Sequence, residues 1–267
     1  MMETTVSLYQ IDAFTDAVFG GNPAAVCPLD DWLDDKTLQD IAAENNLAET
    51  AFFVAGGTDG ADYALRWFTP TTEVDLCGHA TLASAYVVFN RLLPGAADVS
   101  FSSRSGVLKV TREEDVLALD FPSLPASRCD IPEALIRGLG SEPKETLLAS
   151  HYLAIFESEA EIAALCPDMQ ALATLHPQGV IATAPGGADD VDFVSRFFAP
   201  SFGIPEDPVT GSAHCTLIPY WSNRLGRDSL IARQISARGG TLICDACGDR
   251  VRIAGRAALY LEGTIKV

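Results

Sequence analysis

Short apolar stretches broken by Gly, Pro and Asp recur along the first half of the chain and read as strands. They are Val6 to Phe14, the stretch Ala24 to Cys27 after the turn Gly20-Gly21-Asn22-Pro23, Thr50 to Val54, and Tyr63 to Phe68. Between them, Asp35 to Asn45 has helical spacing, with Leu38, Ile41 and Ala42 on one face and an Asp-rich entry. His79 to Leu93 is apolar nearly all round, and a helix with so little polar surface is buried. Strands follow near Val99 to Phe101, Val107 to Thr111 and Val116 to Phe121.

The second half repeats much of that order. The pattern predicts a strand over Leu147 to Phe156, a helix over Ala160 to Leu175, and strands over Val180 to Ala184 and Asp192 to Phe198. A helix rich in small and apolar residues follows over Ser212 to Arg224. The remaining strands lie near Leu230 to Ser236, Thr241 to Cys244, Arg250 to Ala254 and Ala258 to Ile265.

Two stretches are close to repeats of one another. Arg66-Trp67-Phe68-Thr69-Pro70 leads to Gly78-His79, and Arg196-Phe197-Phe198-Ala199-Pro200 leads to Gly211-Ser212. In each, an aromatic strand ends at a proline, an acidic loop follows, and a Gly-led run of small residues starts a helix. The expected class is therefore α+β, with two pseudo-symmetric halves, residues 1–122 and 123–267, divided at Phe121-Pro122-Ser123-Leu124-Pro125. Each half is expected to be a curved mixed sheet around its buried helix. A doubly wound parallel sheet fits less well, because successive strands lack crossover helices. Two such halves are expected to set two helix N-termini across a cleft, where they would bind a small acid.

A formal net charge of -18 argues against nucleic acid or anionic membrane as a partner. It also repels an anionic substrate, so a local device such as the paired helix ends must overcome it. No apolar run is long enough to span a membrane. The start, Met1-Met2-Glu3-Thr4-Thr5, lacks a basic-then-apolar leader pattern. Seven scattered Cys fit reduced thiols in a cytoplasm better than a disulfide framework.

Three places could carry chemistry. Glu49 sits at the entry to the apolar run Ala51-Phe52-Phe53-Val54, where partial desolvation would raise its pKa toward working pH. A solvated loop carboxylate is the alternative. The corresponding junction of the second half, His176-Pro177-Gln178-Gly179, has no carboxylate. Cys77-Gly78-His79 begins the first buried helix. Gly78 allows close approach of a ligand, His79 near a helix N-terminus should favour the neutral form, and Cys77 there should have a lowered thiol pKa. Cys77 as a small buried apolar residue, and His79 as a partner of nearby backbone, stay open. Glu206-Asp207-Pro208-Val209-Thr210-Gly211-Ser212 begins the second buried helix. Asp207 could fix a substrate substituent or orient His79, and Ser212 with the Gly211 amide could bind a carboxylate. Helix capping by the same side chains is compatible with that.

Other groupings are weaker. Ser212 and His214 are two apart on a helix and face different directions, so Asp207, Ser212 and His214 do not make a hydrolase triad. Cys244-Asp245-Ala246-Cys247 is a lone pair without the further ligands structural zinc needs. With only Lys36, Lys109, Lys144 and Lys266 and no phosphate loop, a pyridoxal Schiff base is not expected.

Taken in order, Asp12-Ala13-Phe14-Thr15, Gly21-Asn22-Pro23-Ala24-Ala25-Val26, Asn46-Leu47-Ala48-Glu49-Thr50, Cys77-Gly78-His79-Ala80-Thr81-Leu82, Glu206-Asp207-Pro208-Val209-Thr210-Gly211-Ser212-Ala213 and Arg238-Gly239-Gly240 resemble the phenazine-biosynthesis PhzF-like family, relatives of diaminopimelate epimerase. The resemblance implies two rolled halves with the site between them, proton chemistry without cofactor or metal, and a homodimer. It places a proton-moving glutamate at Glu49 and substrate-holding His, Asp and Ser at His79, Asp207 and Ser212. The epimerase relatives oppose two cysteines. This chain keeps at most one, Cys77, and has Pro208 or Thr210 near the second place, Thr210 falling opposite Cys77 when Gly78 is aligned with Gly211. That departure points to one-base isomerisation of a small, cyclic amino- or hydroxy-carboxylic acid. Two alternatives remain: an epimerase pairing Cys77 with Glu49, and a non-catalytic binder of small acids.

Overall fold

Burial along the first strand alternates at its start, as the two-residue period of a half-covered strand requires, and becomes complete at Ile11, Asp12 and Ala13. That strand, β1 (Thr5–Ala13), is followed by β2 (Asn22–Leu29), α1 (Asp35–Asn45), β3 (Glu49–Ala55), β4 (Tyr63–Phe68), β5 (Glu73–Val74), α2 (Gly78–Val87), β6 (Asp98–Ser103), β7 (Gly106–Glu113) and β8 (Val116–Pro122). Then come β9 (Ser127–Arg128), α3 (Glu133–Leu139), β10 (Glu145–Leu148), β11 (Tyr152–Ile155), α4 (Glu159–Ala164), α5 (Met169–Leu172), β12 (Val180–Pro185), β13 (Phe193–Ala199) and β14 (Ile204–Asp207). The chain closes with α6 (Gly211–Leu225), β15 (Ser229–Gln234), β16 (Gly240–Cys247), β17 (Arg250–Gly255) and β18 (Ala257–Lys266). The computed structural model describes residues 5–176, 179–188 and 190–267. Met1 to Thr4, read above for a leader pattern, and Pro177-Gln178 of the second junction lie outside the described residues.

The chain divides into two units, Met1–Asp120 with Ala254–Val267, and Phe121–Ile253. In the first, β1 pairs antiparallel with β18 and β2, and β2 runs parallel to β3. β3 pairs antiparallel with β4, β4 runs parallel to β6, and β6, β7 and β8 form a meander. α2 is the axis of this unit: His79 to Ala85 and Val87 are buried. It can be wrapped because its residues are small, and because its polar side chains are satisfied within the helix. Thr81 Oγ1 donates to the Cys77 carbonyl at 2.6 Å and Ser84 Oγ to that of Ala80 at 2.8 Å. α1 lies on the outer face with Leu38, Ile41 and Ala42 buried. Its Asp34 N-cap accepts from the Thr37 amide at 3.1 Å, and Asn46 ends it in the left-handed region at φ 50°.

The second unit repeats this topology. β10 and β11 are antiparallel, β11 and β12 parallel, β12 and β13 antiparallel, β13 and β15 parallel, β15 and β16 antiparallel. α6 takes the place of α2, with Trp221 fully buried and its Nε1 donating to Thr183 Oγ1 at 3.0 Å. The α+β class and the rolled, pseudo-symmetric halves agree with the sequence reading.

Three elements differ from expectation. The strand read at Ala258 to Ile265 was assigned to the second half. As β18 it pairs along β1, with a bulge at Gln10/Ile11, and belongs to the first unit. The helix read over Ala160 to Leu175 is two short ones, α4 and α5, because Pro167 has no amide to donate and disfavours a helical conformation at Cys166. The strand read over Leu147 to Phe156 is the hairpin β10–β11.

Candidate active site

Glu49 is the first residue of β3, in register with Ala24 on the parallel strand β2. Two residues before Ala24 stands Asn22, fully buried. Gly21 supplies the turn into Asn22 at φ 59°, and a Cβ there would come within 2.1 Å of the Ala13 carbonyl oxygen. α2 enters beside these strands. Cys77 is its N-cap in extended conformation, makes no side-chain cap, and is followed by Gly78 and buried His79. The amides of the first turn therefore have no capping side chain from Cys77.

The local chain thus gathers four side chains in the first unit. His79 Nε2 lies 3.1 Å from Glu49 Oε2, with side-chain exposures of only 6% and 12%. The alignment falls short of a hydrogen bond, so Glu49 Oε2 is buried without a donor. Cys77 Sγ is 3.5 Å from His79 Nδ1 and 4.0 Å from Nε2. Asn22 Nδ2 is 3.2 Å from His79 Nδ1. With the amide so placed, Nδ1 accepts and Nε2 carries its proton toward Glu49. Turning the amide would offer its oxygen to an Nδ1–H instead, so Asn22 suits either protonation state.

Burial works against the His79 imidazolium, but the Cys77 sulfur and the Glu49 carboxylate outweigh it and hold its pKa well above the ordinary histidine value. Burial raises the Cys77 thiol, reinforced by Glu49 and opposed by His79. The Cys77 sulfur supports the imidazolium only as a thiolate, which its own burial disfavours, whereas the Glu49 carboxylate supports it in either case. Both findings correct the sequence reading. A neutral His79 and a lowered Cys77 thiol were expected from the helix N-terminus. For Cys77 burial decides the outcome, and for His79 the Cys77 sulfur and the Glu49 carboxylate do; all act at shorter range than the helix end. One donor atom each from Glu49, Cys77 and His79 lies within 4.8 Å of the others, so these residues could also hold a metal ion.

In the second unit, Asp207 ends β14 and accepts from Thr210 Oγ1 at 2.5 Å. Gln234 on β15 joins them: its Nε2 donates to the Asp207 carbonyl at 2.7 Å and its Oε1 accepts from the Thr210 amide at 2.9 Å. Thr210 is the N-cap of α6 and makes no side-chain cap. Gly211 is buried and Ser212 exposed. His214 is fully buried, its Nδ1 donating to the Thr210 carbonyl at 2.7 Å. Ser212 and His214 accordingly do not act as a couple. Of the cysteine pair on β16, Cys244 is buried and Cys247 exposed, and all seven cysteines are free.

Two participants were given no role in the sequence reading. Asn22 appears there within a turn and within a motif of the family resemblance, and Gln234 only inside a strand. Polar residues with zero and 1% exposure were the available structural signal. In sequence, Asn22 inside Gly-Asn-Pro resembles an ordinary turn residue.

A family model described as phenazine biosynthesis-like protein, PhzC-PhzF, matches residues 11–263. An isomerase of Pseudomonas aeruginosa, named as uncharacterized, is 53% identical over 99% of both chains. The crystal structure of a PhzF-family phenazine biosynthesis protein from Enterococcus faecalis superposes with a TM-score of 0.93 at 46% identity, covering 98% of this chain and 99% of that one. The chain belongs to the PhzC/PhzF phenazine biosynthesis-like family. PhzF-like relatives named as isomerases at this level of identity make an isomerase the enzyme class. A hydroxyproline epimerase from Agrobacterium vitis, 12% identical with a TM-score of 0.63 over 98% of this chain and 93% of that one, shares the fold. No helix among the described residues is long and apolar enough to cross a membrane.

Proposed function

We propose that this PhzF-like protein moves a proton between two positions of a small, cyclic amino- or hydroxy-carboxylic acid, with Glu49 as the proton carrier. The supporting observation is the buried Glu49–His79 contact at 3.1 Å beside a helix start without a side-chain cap. Moving a proton from one carbon to another neither oxidises nor reduces the substrate, so the reaction needs no redox cofactor. Glu49 takes the proton and returns it on the same face. His79 balances the charge on Glu49 and polarises the substituent that gathers electron density. The first-turn amides at Gly78 attract the substrate carboxylate, worth about half a unit charge at the helix end. In this reading Gly211 and Ser212 also bind the carboxylate, Asp207 holds a ring substituent, and Cys77 lines the substrate's surroundings.

The decisive experiment is a proton-exchange screen of cyclic amino and hydroxy acids in deuterated water. Wild type should exchange and isomerise one of them. Glu49→Gln should lose turnover by a factor of at least about 100 while still binding it. Full activity in Glu49→Gln would end the proposal. Ser212→Ala should raise KM more than it lowers kcat.

A second reading makes Cys77 and Glu49 an unlike pair of bases in an epimerase, favoured by the placement of Cys77 Sγ 3.5 Å from the His79 ring. The buried, protonated thiol argues against it. Loss of optical rotation in a single enantiomer, accompanied by solvent deuterium uptake, would establish it.

A homodimer forms part of the proposal. Ten-residue β18 pairs with β1 along its length. It displays Tyr260 and Leu261 next to Phe19, whose ring meets that of Tyr260 edge-on at 5.6 Å. Such an exposed apolar patch invites a second copy. Light scattering should give twice the chain mass, and Leu261→Lys should halve it. Free thiols at all seven cysteines fit a reducing compartment such as the cytoplasm.

A further inference from the structure

We infer that Cys77, His79 and Glu49 form a binding site for a thiophilic divalent cation, with Zn2+ the ion that suits the donors. The set is one thiol, one imidazole and one carboxylate, each contributing one atom. Zn2+ takes these ligand types and is satisfied by three protein ligands with an open fourth position. Zn–S near 2.3 Å and Zn–N or Zn–O near 2.0–2.2 Å in a tetrahedron require S···N separations of about 3.6 Å and N···O separations of about 3.4 Å. The separations here are 4.0 Å from Cys77 Sγ to His79 Nε2 and 3.1 Å from His79 Nε2 to Glu49 Oε2. Side-chain rotations of a few tenths of an ångström close these two differences, and the Cys77 and Glu49 donor atoms lie within 4.8 Å of each other.

Two features of the surroundings favour the ion. Glu49 Oε2 is buried without a hydrogen-bond donor, so it holds a lone pair toward the cluster that a cation would use. Asn22 sits at the opposite ring nitrogen, 3.2 Å from His79 Nδ1, where its amide oxygen can accept from Nδ1–H once Nε2 is bound to metal. That is the outer partner a metal-bound histidine normally has. Binding releases the Cys77 thiol proton, and any proton on His79 Nε2, to solvent. No electrons are transferred.

The site uses the residues assigned to proton transfer, so metal and turnover exclude one another. Zn2+ is therefore an inhibitor here, and that consequence rests on the function proposed above. The binding itself does not.

The test is titration of the purified, chelator-treated full chain with Zn2+ against a chromogenic competitor, and with Co2+ by absorption spectroscopy. One Zn2+ per chain is expected. Co2+ should give the intense visible bands of a tetrahedral ion and a thiolate charge-transfer band. Cys77→Ser should abolish that band and weaken Zn2+ at least about tenfold, as should His79→Gln. Cys247→Ser, at an exposed thiol outside this donor set, should change neither. X-ray absorption of the wild-type zinc complex should find one Zn–S distance near 2.3 Å, a readout independent of variant folding. An octahedral cobalt spectrum without the thiolate band, or wild-type zinc affinity in Cys77→Ser, would overturn the inference. Absence of proton exchange with the thiolate band intact would instead count against the isomerase reading alone.

Discussion

Arg66 holds Glu73 through two parallel contacts, Nε to Oε1 at 2.7 Å and Nη2 to Oε2 at 2.9 Å. Its guanidinium also lies over Phe68, 5.0 Å from the ring centre. The second unit repeats the clamp. Arg196 Nε meets Glu206 Oε1 at 2.7 Å, Nη2 meets Oε2 at 2.8 Å, and the guanidinium stands 4.9 Å from Phe198. In each unit the clamp ties the central aromatic strand to the short strand that precedes a buried helix, β5 before α2 and β14 before α6. Planar bidentate pairing of this kind is particular to Arg.

The two clamps should not be equally costly to remove. Glu73 keeps a second arginine, Arg104, at 2.6 Å. Arg196 also donates to the carbonyls of Ile162 and Leu165 at 3.2 and 2.9 Å. Arg196→Met strands those acceptors as well as Glu206. Urea unfolding should show a loss of about 3 kcal/mol for Arg196→Met and about 1.5 kcal/mol for Arg66→Met. Equal losses would show that the backbone acceptors contribute nothing.

Acid stability should depend on His214. Burial lowers its pKa to about 4, against about 6.5 when unfolded, with only its bond to the Thr210 carbonyl opposing. The folded state keeps the ring neutral while the unfolded state takes up a proton. Stability is therefore intact above pH 6.5 and falls as pH drops toward 4, by on the order of 3 kcal/mol across that window. His214→Gln should be less stable at neutral pH but should flatten this part of the pH–stability curve. A slope unchanged by the substitution would assign the acid sensitivity to other groups.

Gly21 is expected to act on the site from a distance. Gly21→Ala forces a side chain onto the Ala13 carbonyl oxygen at a positive φ, at a cost of about 1–3 kcal/mol. Relief of that clash moves Asn22, which touches His79. Turnover should fall more than the stability loss explains at temperatures where the variant remains folded. Circular dichroism at the assay temperature separates the two effects.

Asn22 should be a positioning residue. Asn22→Leu removes the polar contact to His79 Nδ1 while approximately conserving volume. Measured kcat should fall about tenfold or more while KM changes little, and Asn22→Asp should recover part of kcat. Equal falls for both variants would point to lost packing instead.

The sequence by itself determined what depends on local order. α1 is where its Leu38-Ile41-Ala42 face and Asp34 cap put it, because helix period and capping act within a few residues. The matched aromatic strands and Gly-led helices were legible as a repeat. So were Glu49, Cys77 and His79 as residues worth attention, since each stands next to a boundary between elements.

Only the tertiary structure decided what depends on contacts far apart in the chain. β18 joins β1 across nearly the whole length of the sequence, a pairing that no local pattern specifies. Asn22, Glu49 and His79 come together from a turn, a strand start and a helix start. The protonation of His79 and Cys77 followed from that meeting. A pKa responds to burial and to charges within a few ångströms, whichever part of the chain supplies them, and those distances exist only once the sheet has closed around α2.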